Sequence, residues 1–288
     1  MRLRRVGWLA AALLCAGCAG AGPPPRSLGL DPFYTRHVDA GGIPITSSSR
    51  VDAKALRAAR DMALGMVAER PDLARWLAAN GWRITVMAED EALLDLPENR
   101  DWKKPTRDDP RLTRCELKHY DERIGRLSDR DYWNNRARGM GGQVMVAAEE
   151  DLLGLPLNRY WGETIFVHEF AHQVLGAIRA SDPALYRRIE IAYAAARAEN
   201  LWAGEYTMTT LDEYWAEGSQ FWFNSNRLQA FAGRRILGHE DLAAYDPRLA
   251  AVLRAAYGDR HRLKSDPFYM HPARVPPGPP PENTAEVC

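Results

Sequence analysis

Apolar residues recur along most of this chain at helical rather than strand spacing. Residues 52–69 are rich in Ala, Leu and Arg at helical spacing, which predicts a helix, with Ser47-Ser48-Ser49 ahead of it as a start signal. A second short helix is predicted over 73–79, stopped by Asn80-Gly81. Residues 82–87 alternate and carry Ile84, Thr85 and Val86, the pattern of a strand. Residues 98–109 are polar and aperiodic, a loop, and 129–138 read as irregular. Gly139-Met140-Gly141-Gly142 then leads into a short apolar strand over 143–147. A buried helix is expected over 160–178, with Asn158 placed to cap it. Ser181-Asp182-Pro183 opens the next, to about Asn200, with Pro183 in the first helical position. After a loop over 201–209, Thr210 starts another helix, to about Asn224; Asp246-Pro247 opens a last one that ends at Gly258. Beyond His271 the chain turns Pro-rich and reads as an extended tail over 272–288. The pattern predicts an α+β fold, mostly helical, with a small sheet and no internal repeat.

Composition narrows the function classes. The 46% hydrophobic and 26% charged residues are globular values, and 288 residues make one large domain or two small ones. Lys plus Arg and Asp plus Glu both number 38, so no net charge draws the protein to nucleic acid. The first residues read as targeting rather than fold. Arg2, Arg4 and Arg5 precede an apolar run over 6–14, too short to span a bilayer, and then Cys15-Ala16-Gly17-Cys18. Residues 14–18 resemble the lipobox of bacterial lipoproteins. That resemblance implies cleavage before Cys18, acylation of Cys18 and attachment to a membrane of the cell envelope. Ala19 in place of Asp is similar to lipoproteins sent on to the outer membrane, facing the periplasm or the surface. Cys15 departs from the pattern, and an ordinary cleaved signal with a soluble exported product stays open. Gly22-Pro23-Pro24-Pro25 marks 19–30 as a tether. The two remaining cysteines, Cys115 and Cys288, form a disulfide or stay as two thiols; an oxidising compartment favours the bond.

The chemistry concentrates in His168-Glu169-Phe170-Ala171-His172. Residues four apart on a helix share a face, so both imidazoles can reach one Zn²⁺. Glu169 lies beside that face, where a carboxylate can act as general base toward water. The alternative is two surface histidines with a surface Glu. A catalytic zinc needs a third protein ligand and one open position. The next acidic pair is Glu213 and Glu217, again four apart on one helical face, so one can bind the metal while the other holds the outer nitrogen of a ligating histidine. Each has a structural alternative. Thr210-Leu211-Asp212-Glu213 also reads as a capping box, and Glu217 as a solvated face. Asp212 points about 100° away from Glu213.

These residues carry a family resemblance. An HExxH helix followed about forty residues later by Glu213-Tyr214-Trp215-Ala216-Glu217 resembles the gluzincin metallopeptidases, and among them the catalytic domain of anthrax lethal factor and its relatives. Residues 138–142 with 149–153 are similar to the strand and turn ahead of the HExxH helix in that family. The resemblance covers about 132–224, under half of the chain. It implies a zincin-like domain over 31–271, with its catalytic part in 131–271. It also implies one Zn²⁺ held by His168, His172 and Glu213, with Glu217 behind them. Tyr206, seven residues before Glu213, would donate its hydroxyl to the oxyanion; His239 is a rival for that role, since thermolysin-like enzymes use a histidine. The strand over 143–147 could hold a peptide by adding it at its edge. The function expected is a zinc endopeptidase acting on peptide or protein. A non-catalytic zinc-binding or degenerate envelope lipoprotein, and a zinc amidase of the cell wall, remain as alternatives. Residues 31–130 match no named pattern.

Overall fold

The structure is a computed structural model and describes residues 21–278. Cys15, Cys18 and Cys288 lie outside the described residues, and with them the lipidation and one half of the expected disulfide. About 47% of the chain is helical beside a small mixed sheet, so the α+β class expected from the patterning holds.

The chain enters through a hairpin the helical periodicity did not announce. Strand β1 (Arg36–Ala40) turns at Gly41-Gly42 into β2 (Ile43–Ser47), pairing antiparallel from Arg36–Ser47 to Ala40–Ile43. The turn needs positive φ at both glycines, 69° and 96°. Val38, Ala40, Ile43 and Ile45 are buried, an alternation with only two apolar positions per strand. The His37 amide also donates to the Gly22 carbonyl at 2.7 Å, which fastens part of the 19–30 stretch along β1.

Helices α1 (Ala53–Met66) and α2 (Pro71–Ala79) cross over to β3 (Arg83–Met87), which pairs parallel to β2. The cap of α1 is Asp52, whose carboxylate accepts the Lys54 amide at 2.8 Å; of the expected serine signal, Ser47 ends β2 and Ser48 braces the turn at Arg50. Two short helices follow, α3 (Arg114–Lys118) and α4 (Asp129–Arg136). The irregular reading of 129–138 is thus corrected. Ser128 accepts the Asp131 amide and starts α4, but only Tyr132 is buried on it, so no apolar period shows.

β4 (Val144–Ala148) pairs parallel to β3 and closes the sheet in the order β1-β2-β3-β4. It runs directly into α5 (Glu149–Leu153) and then the central helix, α6 (Ile165–Ser181). α6 is almost wholly buried: Phe166, Phe170, Val174 and Ile178 join Ile45, Ile84, Val86 and Met145 of the sheet in one core. It starts five residues later than the expected Tyr160, because Gly162 takes φ 99° and the chain turns there. Asn158 does not cap it. The first amides, of Ile165 and Phe166, go instead to the buried carboxylate of Asp151 at 3.2 and 3.0 Å, and Asn158 braces that carboxylate at 3.2 Å.

α7 (Pro183–Ala198) follows at once, capped by Asp182 as its sequence predicts. α8 (Leu211–Trp222) crosses α6, and a small hairpin, β5 (Gln229–Phe231) with β6 (Arg234–Ile236), leads to α9 (His239–Tyr245) and α10 (Pro247–Tyr257). The chain beyond His271 does not run free at first: Arg274 is buried, donates from Nε to the Asn226 carbonyl at 2.8 Å and accepts the Leu228 amide at 2.8 Å.

One buried carboxylate ties the elements around α8. Asp246 caps α10 at Leu249 (3.0 Å) and accepts the Trp202 indole (3.1 Å) and the Tyr214 hydroxyl (2.7 Å). Its removal strands two buried donors and a helix end. Asp246→Ala is expected to lose about 3 kcal/mol of stability, read as a lower denaturant midpoint with an unchanged slope; a midpoint at the wild-type value would contradict this role.

Candidate metal centre

His168 and His172 leave α6 one turn apart with their rings edge to face, centroids 4.9 Å apart. Glu213 comes from the first turn of α8, and the two helices are registered by the Trp215 indole, which donates to the Ala171 carbonyl at 3.0 Å. Thr210 accepts the Glu213 amide at 3.1 Å, which is half of the capping box the sequence suggests. The other half is not made by this side chain as anticipated: the Glu213 carboxylate turns to the histidines. Its Oε2 lies 2.9 Å from His168 Nε2 and 3.8 Å from His172 Nε2. One ligand atom from each of the three residues falls within 4.8 Å of the others, the one such group among the described residues.

The electrostatics follow from burial. Desolvation lowers the His168 pKa, but the carboxylates of Glu213 and Glu217 outweigh it and raise it well above 6.5. Burial raises the Glu213 carboxyl, and His168, His172 and the Tyr206 hydroxyl more than reverse that, holding it ionised. His172 is pushed down to about 4 by burial and then by His168. Yet Glu213 Oε2 is buried without a well-directed hydrogen bond. A buried carboxylate oxygen short of a partner, flanked by two imidazole nitrogens, is a donor set that a divalent cation completes.

Glu217 and Gln220 lie behind His168. His168 Nδ1 is 3.1 Å from Gln220 Oε1 and 3.5 Å from Glu217 Oε1. Glu217 is steadied through its other oxygen by Asn226 (2.9 Å) and Gln229 (2.8 Å). Gln220 is a site residue the sequence reading missed. The signal was present, since Glu213, Glu217 and Gln220 sit at i, i+4 and i+7, one polar stripe on a helix that is buried and mostly apolar from Tyr214 onward. Asp212, off that stripe, pairs with Arg179 at 2.7 Å.

Glu169 is part-buried, and desolvation raises its pKa to about 7 against a lowering by the nearby Gly141 amide. That amide belongs to a glycine segment lying directly on the cluster. A Cβ at Gly139 would stand 3.1 Å from Glu169 Cγ, and one at Gly141 would stand 3.1 Å from the His172 ring. Arg138 clamps one end of the segment to Glu150 at 2.7 and 2.9 Å, and Gln173 holds the Gly142 carbonyl at 2.8 Å. Between them Met140 exchanges backbone hydrogen bonds with Val146, at 3.0 and 2.8 Å. The outer edge of β4 is therefore already taken there. The edge expected over 143–147 to add a peptide is covered there by residues 139–141.

Tyr206 reaches the cluster from a single helical turn, Tyr206–Met208. Its ring lies near-parallel to His168, centroids 6.4 Å apart, and its hydroxyl is close enough to Glu213 for each to perturb the other. Burial, then Glu213, raise its pKa, so it remains a neutral O–H donor. His239 instead stacks on His261 at 3.7 Å and bonds to Asn224. Cys115 is buried and disulfide-bonded; its expected partner, Cys288, is among the residues not described.

Asp151, which caps α6, is fully buried, and burial raises its pKa from 3.8 to about 8. The folded value exceeds the unfolded one. Its contribution to stability is therefore complete below 3.8 and is lost as pH climbs through about 8. Asp151→Asn keeps an acceptor for the helix amides and cannot ionise. Thermal melts from about pH 5 to 8 should show a flatter decline for this variant, and a slope equal to wild type would refute the assignment.

No protein-family model matches the chain and no curated protein matches it, so what the cluster can do follows from its own geometry.

Proposed function

We propose that the chain is a zinc-dependent endopeptidase of the zincin type, built as the gluzincins and the lethal-factor-like enzymes are. The observation that carries this reading is the convergence of His168, His172 and Glu213 ligand atoms within 4.8 Å, with the Glu169 carboxylate beside them. A closed structural zinc site has no use for such a base, and this favours an enzyme over a non-catalytic lipoprotein. The central HExxH helix under a small mixed sheet is compatible with a zincin-like fold. The lipobox resemblance at Cys18 extends the proposal to a bacterial lipoprotein on the outer membrane, acting on peptide or protein.

His168, His172 and Glu213 would hold the ion, with Gln220 and Glu217 fixing the His168 ring from behind. When bound, zinc supplies a Lewis acid that polarises a carbonyl and makes water acidic near neutral pH. Glu169, beside the three ligand groups, would take a proton from the attacking water and pass it to the amine as the C–N bond breaks. Tyr206 stands on the side of Glu213, placed to donate to the oxyanion that forms as water adds. The edge at residues 139–141 offers backbone groups to an extended peptide, and its glycines let that peptide come close to Glu169 and His172.

Metal analysis of the purified protein should give one zinc per chain. Glu213→Ala should lose the metal. Glu169→Gln should keep it and reduce cleavage of a peptide library by about 10²–10⁴-fold; a Glu169→Gln protein that cleaves at the wild-type rate would sink the proposal. Tyr206→Phe, with zinc retained, should lower kcat by about 10²–10³-fold, and full turnover in that variant would remove Tyr206 from the mechanism.

A further inference from the structure

We propose that the cleft between α1 and the segment over 264–267 binds a phosphate group, as a free anion or as the headgroup of an anionic lipid. The cleft shares no residue with the metal centre, and the proposal stands apart from the endopeptidase reading.

The cleft holds about 490 Å³ and is lined by α1, the end of α5 and the segment over 264–267. Lys54, Arg57 and Asp61 stand at i, i+3 and i+7 along α1, with Arg60 beside them, and Lys264 joins them from the other wall. Four cations against one carboxylate leave three positive charges in excess, on a chain whose basic and acidic residues balance at 38 each. The acids next to the cleft in sequence are engaged elsewhere. Asp52 caps α1 at the Lys54 amide, and Asp266 accepts the Thr164 and Ser225 hydroxyls.

Both walls are fixed before any ligand arrives. A Cβ at Gly65 would stand 2.9 Å from Leu263 Cδ2, and one at Gly154 would stand 2.9 Å from Pro267 Cβ, so the C-terminal segment lies hard against α1 and the end of α5. Within the cleft Asp61 accepts Arg60 at 2.9 Å, Lys264 at 2.9 Å and the Ser265 hydroxyl at 3.1 Å. One carboxylate thus orients two cations and cancels only one of them. The Arg57 guanidinium is half-buried and the Lys54 ammonium exposed, and neither has an ion-pair partner among the described residues.

These groups match phosphate chemistry. A guanidinium fork meets two phosphate oxygens at once, and a lysine adds a point charge. A phosphate group carries about −1.5 to −2 charges near neutral pH, so it answers the excess in the cleft better than a single carboxylate does. Like charges gathered in a cleft also concentrate the field there.

The experiment uses the full-length protein with two probes. The first is inorganic phosphate, against chloride at equal ionic strength, read as a rise in melting temperature. The second is vesicles of phosphatidylcholine with about a quarter of phosphatidylglycerol, against phosphatidylcholine alone. A lipid anchor binds both kinds of vesicle alike, so the difference between them reads the charge. Arg57→Gln should weaken the response by about tenfold or more. Lys54→Gln, at an exposed position where folding is not at stake, should weaken it in the same direction. A response to phosphate identifies a free anion as the ligand, and a response to the anionic vesicles alone identifies a headgroup. Both variants should keep one zinc per chain and the wild-type cleavage of peptides, which separates this cleft from the metal centre. If neither probe distinguishes wild type from the two variants, the proposal is overturned and the endopeptidase reading is untouched.

Discussion

The rest of the structure answers to one constraint: a glutamate from α8 must be buried against two histidines from α6. Taking a carboxylate out of water costs several kcal/mol unless groups around it compensate. Glu213 and His168 meet at 2.9 Å, and His172 closes the group from the next turn. Two helices forty residues apart in sequence must therefore cross at one place and in one register. The Trp215 indole on the Ala171 carbonyl gives that crossing a fixed polar contact, and the Ser219 hydroxyl on Tyr257 ties the other side of α8 to α10.

Buried carboxylates recur around the centre, each taking up donors that a helix end or a side chain would leave unmatched. Asp151 holds the first amides of α6, Asp246 gathers Trp202, Tyr214 and the start of α10, and the part-buried Asp266 accepts the Thr164 hydroxyl and, at 2.6 Å, that of Ser225. None touches the ligand atoms directly. They fix the ends of the helices that do, and a shift of α6 or α8 by a fraction of an ångström would open the ligand set. The glycine segment over 139–142 is controlled in the same manner, clamped by Arg138 and Gln173, so that bare backbone lies against Glu169 and His172.

Much of the site was legible in the chain because its parts are local. His168, Glu169 and His172 follow from helical spacing, and Thr210, Asp182 and Asp246 mark helix starts by side-chain chemistry that needs no distant partner. Asp212 was set aside on helical angle alone, and it does pair elsewhere, with Arg179. Where the reading went astray, a remote group had taken a local role. Asn158 looked like the cap of α6, but Asp151 supplies it from the preceding helix, and the turn at Gly162 delays the start. The edge of β4 looked free, but Met140 had folded back onto Val146. α4 escaped because a helix with one buried residue has no apolar period to see.

The sequence by itself determined the identity of the chemical groups and their order on each helix, since a repeat of 3.6 residues places side chains on a face without reference to the rest of the fold. It could not decide between a capping role and a ligand role for Glu213, because both start from the same helix N-terminus; only the crossing of α8 over α6 turns that carboxylate toward His168. Nor could it place Gln220 of that polar stripe behind the His168 ring, since a contact between residues 52 apart depends on how whole elements pack.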